Sequence, residues 1–110
     1  MSWNIVYTAR ARCDLRNIYE YIAYDLLAPE TAIGQTQRIM KEIRALNEMP
    51  LRFRLYDEEP WHGAGLRFFP VDNYLVFYLP DESKNTVSIV RIMYGGRNIR
   101  GQLGEAKAEY

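Results

Sequence analysis

GLRFFPVDNYLVFYLPDESKNTVSIVRIMYGGRNIR, residues 65–100, contains three successive runs rich in β-branched and aromatic side chains. Leu66 to Phe69 is the first, Tyr74 to Leu79 the second and Thr86 to Tyr94 the third. Each is closed by residues that favour turns. Pro70 and Asp72-Asn73 separate the first two, Pro80-Asp81-Glu82-Ser83-Lys84-Asn85 separates the second from the third, and Gly95-Gly96 ends the third. Short strands with turn chemistry between them read as an antiparallel meander. One face of such a sheet needs a cover, and the cover has to come from the preceding half of the chain.

That half supplies it. Trp3 to Tyr7 reads as a short first strand, and Thr8 sits where a helix N-cap belongs. Leu15, Ile18, Tyr19, Ile22 and Leu26 then recur at helical spacing, with Arg10, Asp14, Arg16, Asn17, Glu20 and Asp25 off the stripe and expected to face water. Pro29 and Glu30 open a second helix whose periodic face is Ile33, Thr36, Ile39, Met40, Ile43 and Leu46 or Asn47, closed by Met49-Pro50. So short a connection makes the two an antiparallel hairpin, which should lie across the sheet. Residues 51–62, LRFRLYDEEPWH, match no regular element and read as a loop anchored by Phe53, Tyr56 and Trp61. Arg97 to Leu103 reads as a short last helix, and 105–110 as a loose tail. The expected fold is α+β: one domain over 1–110, with an N-terminal strand, a helical hairpin on one face of the β-meander sheet and a short C-terminal helix.

Bulk properties narrow the function. At 110 residues and 48% hydrophobic, the chain can bury a core without staples. A single cysteine, Cys13, forms no internal disulfide and fits a reducing, cytoplasmic setting. No apolar run is long enough to cross a bilayer, and the start lacks signal-peptide order. Fourteen basic and fourteen acidic residues cancel, so no whole-molecule field draws the protein to a polyanion. Locally the balance differs: residues 86–104 carry Arg91, Arg97 and Arg100 and no carboxylate. This basic edge could meet a phosphate or an acidic peptide.

Most single residues read as structural. His62, the only histidine, has no titratable partner at a telling spacing, and Asp57-Glu58-Glu59 reads as a solvated triplet rather than a metal site. Cys13 has no basic neighbour placed beside it, and Gly95-Gly96 lacks the surroundings of a phosphate loop. Tyr74 and Tyr78 share a strand face and read as core. Arg67, Arg91, Tyr94, Arg97 and Arg100 resist that treatment. Strict alternation points Arg91 away from Val90 and Ile92, onto a face shared with Ile89 and Met93. Its guanidinium is either ion-paired or at an edge with the head in water, or held out to grip phosphate or carboxylate.

The order strand, helical hairpin, meander, Gly-Arg, with Gly65-Leu66-Arg67, Asn73-Tyr74-Leu75-Val76-Phe77-Tyr78, Val90-Arg91-Ile92-Met93-Tyr94 and Gly96-Arg97 as markers, resembles the RelE/ParE superfamily of toxins from bacterial toxin-antitoxin modules. The resemblance implies a small cytoplasmic growth inhibitor neutralised by a cognate antitoxin, with no cofactor. It also implies one of two targets. RelE-like members cut mRNA in the ribosome without metal, and here Arg67, Arg91 and Tyr94 would be the catalytic set. ParE-like members poison DNA gyrase by binding it. Pro70 stands about where the ribonucleases place an arginine, and no lysine lies near the first meander strand, so the ParE-like branch is preferred. Arg67, Arg91, Arg97 and Arg100 are the expected partner-binding residues. A non-toxic structural or adaptor domain is the reading from a different class.

Overall fold

A computed structural model describes residues 2–95 and 103. Strand β1 (Asn4–Tyr7) leads into α1 (Ala9–Glu20), which continues as one π-helical stretch over Tyr21–Asp25. Helix α2 (Pro29–Arg44) returns, two 3₁₀ turns follow (Ala45–Asn47 and Pro50–Arg52), and α3 (Trp61–Ala64) precedes β2 (Arg67–Val71), β3 (Tyr74–Asp81) and β4 (Thr86–Tyr94). The expected meander is present, with Pro80 and Asp81 inside β3 rather than in the turn. β1 joins its β4 edge in parallel, which gives a mixed four-stranded sheet in the order β1-β4-β3-β2. The predicted C-terminal helix over 97–103 lies outside the described residues except for Leu103, which is helical and buried.

The hairpin covers one face of this sheet. Ala11 of α1, Ile39 and Ile43 of α2 and Leu46 pack on Phe69, Val71, Val76, Tyr78, Val87, Ile89 and Ile92. The opposite face is also covered. Trp61, Leu66, Phe77, Val90, Met93 and Leu103 form a second core, with Tyr56 and Phe68 against it. The segment before β2 therefore reaches both cores and is held by the three aromatics expected to anchor it, Phe53 on the helix-side core and Tyr56 and Trp61 on the second. Phe53 stacks on Phe69 at 4.5 Å, Tyr56 meets Phe68 and Phe77 edge-on, and Trp61 is buried. Gly65, at φ +89°, closes α3 in the left-handed region and lets Leu66 donate back to the Trp61 carbonyl.

Two expectations are overturned, the first of them by an irregularity in register. Phe77 stands opposite Arg91 but Tyr78 stands opposite Ile89, so the register slips by one residue at Val90. Past the slip the inward positions change parity. Val87, Ile89 and Ile92 join the core beneath the helices, while Val90 and Met93 join the second core. Of the predicted face shared by Ile89, Arg91 and Met93, only Arg91 and Met93 stay together, opposite Phe77 and Leu75, while Ile89 lies on the other face. Asp14, expected in water, is buried where α1 crosses β4.

The β2–β3 turn is tied to the hairpin as well. Asp72, at φ +55°, accepts hydrogen bonds from Gln35 Nε2 at 2.9 Å and Arg38 Nε at 2.8 Å. Beyond this turn the tip of the hairpin packs on its own small cluster of Ile22, Ala23 and Ala32. Leu26, placed on the apolar stripe by its spacing, is exposed there because the π stretch rotates the last turn out of register.

Candidate partner-binding site

β1 ends at Tyr7, and β4 runs on past it with backbone groups that need partners. The start of α1 provides them. Thr8 caps α1 by accepting from the Ala11 N–H at 3.0 Å, and its hydroxyl donates to the Val90 carbonyl at 3.1 Å. Asp14 then accepts the Ile92 N–H at 3.0 Å. The same carboxylate accepts from Arg91 Nε at 2.7 Å and Nη2 at 2.9 Å, a bidentate pair. Arg91 is 3% exposed. An arginine expected to reach outward is thus held inward, and the first of its two readings, the internal ion pair, describes it. The reason is geometric: β1 stops pairing with β4 at Ile89, so α1 brings Asp14 to the open edge of β4, where it meets both the Ile92 N–H and the Arg91 guanidinium, and a buried guanidinium requires a buried counter-charge.

Arg67 is also engaged within the fold, though less completely. Its Nη1 donates to the Leu51 carbonyl at 3.0 Å and to the Phe53 carbonyl, stapling the 51–53 segment to β2. Its Nε is buried without a hydrogen-bond partner, and the residue as a whole is partly exposed. Tyr94 is 48% exposed at the end of β4, its ring edge-on to Tyr74 at 5.8 Å.

These three residues do not converge. Tyr94 pairs with Tyr74 and Arg67 pairs with Tyr78, so they are separated by four residues along β3, or about 13 Å. Arg91 is bound to Asp14 of α1. Arg97 and Arg100, the other two expected partner-binding residues, lie outside the described residues.

The acidic triplet is solvated as expected at Asp57 and Glu59, which are exposed, with Glu58 half-buried, and each carboxylate also has a local contact. Asp57 faces Arg54 at 3.6 Å, Glu58 accepts from the Tyr56 hydroxyl, and Glu59 accepts the Gly63 N–H at 2.8 Å while facing His62 Nδ1 at 3.6 Å. Among the described residues no group of three His, Cys, Asp or Glu side chains is placed to hold a metal ion. Cys13 does have a cation nearby, with Arg16 Nη2 at 3.9 Å from its sulfur. Burial raises the Tyr78 phenol to about 12, against the pull of Arg67 and Arg52, and its hydroxyl donates to the Pro50 carbonyl at 2.6 Å. The hydrogen bonds from Arg38 and then Gln35 hold the Asp72 carboxyl below its usual range.

Known proteins resolve the lineage. The family profile described as ParE toxin of type II toxin-antitoxin system, parDE, matches residues 5–99. The chain belongs to the ParE toxin family. As a member it is a toxin of a type II toxin-antitoxin system. Solved structures share the fold at low identity. A chain of the chromosomal ParDE system of P. aeruginosa is 21% identical, with TM-score 0.69 over 84% of this chain and 96% of that one. One from the RelBE2 toxin-antitoxin complex of Mycobacterium tuberculosis is 20% identical, with TM-score 0.62 over 86% and 92%. The isolated E. coli RelE toxin is 12% identical, with TM-score 0.60 over 97% and 99%. A comparison with curated protein sequences finds no match. No described helix of this ParE-family chain is long and apolar enough to cross a membrane.

Proposed function

We propose that this toxin acts in the cytoplasm by binding a protein target, DNA gyrase, and not by cutting RNA, and that a cognate antitoxin neutralises it. The observation that carries the reading is the dispersal of Arg67, Arg91 and Tyr94. Metal-free cleavage of RNA needs a base near the ribose 2′-hydroxyl and cations around the phosphate, all within hydrogen-bond reach of one substrate. Arg91 is committed to Asp14, and Arg67 and Tyr94 lie on opposite sides of β3, offset by about 13 Å along it. A formal net charge of zero adds no general attraction for RNA.

The antitoxin contact is assigned to Arg67, Arg97 and Arg100, with an antitoxin segment that brings acidic residues and apolar anchors. Purified toxin should inhibit supercoiling by gyrase and leave mRNA on programmed ribosomes intact. In cells, pulse labelling should show an early DNA-damage response before protein synthesis falls. Prompt arrest of translation with cut transcripts would reverse the assignment. Growth unaffected by the toxin gene, with or without its antitoxin, would leave only an adaptor role.

A further inference from the structure

We propose that the tip of the helical hairpin, residues 21–28, is a docking surface for a protein partner whose contact face is apolar at its centre and rimmed by Lys and Arg. Four of the seven residues from 21 to 27 are large, apolar and exposed: Tyr21 at 51%, Tyr24 at 66%, Leu26 at 55% and Leu27 at 82%. Single exposed apolar residues are ordinary on protein surfaces, but a contiguous group is not. Leu27 is the sharpest case. It has φ +55°, a conformation that suits glycine and strains a bulky side chain, and its side chain is almost wholly in solvent. Neither backbone ease nor packing accounts for leucine at that position.

The surface is also held in shape. Leu26 N–H donates to the Tyr21 carbonyl and Ala28 N–H to the Ile22 carbonyl, both at 3.0 Å, and Tyr24 meets Tyr19 edge-on at 6.4 Å. Ile22, Ala23 and Ala32 fill the interior of the tip, backed by Ile18, Tyr19 and Ala28. A partner would therefore meet a preformed knob and lose little to ordering it.

Charge selects the occupant. Residues 17–37 contain Glu20, Asp25 and Glu30 and no Lys, Arg or His. Nucleic acid and an anionic bilayer are both repelled by that rim. A second copy meeting face to face would set the same acids against each other. A partner with cations around an apolar centre satisfies both features at once. This is opposite in sign to the arginine edge assigned to the antitoxin, so the two surfaces suit different partners.

The test places a photoreactive p-benzoylphenylalanine at Tyr24, and separately at the exposed control site Glu82, in the full chain produced in bacterial cells together with its antitoxin. The expected result is a crosslink at 24, and none at 82, to one protein through a peptide that is apolar and flanked by Lys or Arg. Combining Glu20→Lys, Asp25→Lys and Glu30→Lys should lower the yield at least tenfold. Leu27→Gly should also lower it severalfold while raising Tm and leaving antitoxin affinity within twofold; being favoured by the backbone, it serves even if the charge-reversed variant fails to fold. Crosslinking to the antitoxin, a second copy, the chain's own C-terminal residues, lipid or nucleic acid overturns the proposal, as does no crosslink or a yield indifferent to Leu27→Gly. A negative gyrase assay alters none of these readouts.

Discussion

Asp14 joins the helical layer to the sheet by charge, and the energetics of buried ions indicate what its loss would do. The pair it forms with Arg91 is bidentate and excluded from water, so removing one member strands the other as an uncompensated buried ion. Asp14→Ala or Arg91→Ala should each cost about 3–5 kcal/mol, read as a lower urea midpoint at unchanged slope. Asp14→Leu combined with Arg91→Met should recover part of that loss, because two apolar side chains replace two ions while the Ile92 N–H loses its acceptor. The double variant should also still arrest growth if Arg91 serves only the fold; a folded but harmless double variant would return Arg91 to the functional surface. Tyr78 supplies a second expectation. Its hydroxyl serves the buried Pro50 carbonyl, so Tyr78→Phe should cost about 1–3 kcal/mol at neutral pH. The folded phenol titrates at about 12 against an ordinary 10.0, so its contribution is complete below about pH 10 and lost as pH rises through 12. Between those values the wild-type chain should lose stability more steeply than Tyr78→Phe, with Tyr7, also raised by burial, supplying the slope that remains. Asp14 was within reach of the sequence: it lies three residues after Ala11 and four before Ile18, both of which face inward on the same helix. A carboxylate there pointed to a buried cation, and alternation alone could not name Arg91.

The element scale shows where periodicity succeeds and where it fails. The meander, the helical hairpin and the three aromatic anchors of the 51–62 segment were all legible because each is encoded by residues within its own segment. The slip at Val90 was not, since it arises from how β4 pairs with β3, and one extra residue inverts every inside-outside assignment beyond it. The same limit hid the π stretch after α1 and the parallel partner of β1. Met49 offers a test of local strain in this class of feature. It sits in the left-handed region at φ +55° and ψ +54°, directly before Pro50, where the steric demands of proline already disfavour compact backbone, and its side chain is exposed. Nothing in its packing compensates. Met49→Gly should therefore stabilise the chain by about 0.5–1 kcal/mol, a rise of a few degrees in Tm by calorimetry. A lower Tm would mean that the Met49 side chain contributes more than its exposure implies.

At the scale of the whole molecule, charge is arranged by region and not by total. The sum is zero, so long-range steering of any partner has to come from local imbalance: acids and no cations over 17–37, arginines and no acids over 86–104. At about 0.1 M salt such a field reaches only about 10 Å, so each region acts on a partner already close to it. If the arginine edge receives the antitoxin, Arg97→Glu with Arg100→Glu should slow association about tenfold at low salt, by turning attraction into repulsion at encounter. The difference should narrow as sodium chloride rises towards 0.5 M, because screening removes the same term from both proteins. Dissociation should change less, since apolar anchors set most of the lifetime of a complex. Stopped-flow mixing of the two purified chains over a salt series measures both rates. Association rates that coincide at every salt concentration would remove the arginine edge from the encounter and assign antitoxin recognition to apolar surface alone.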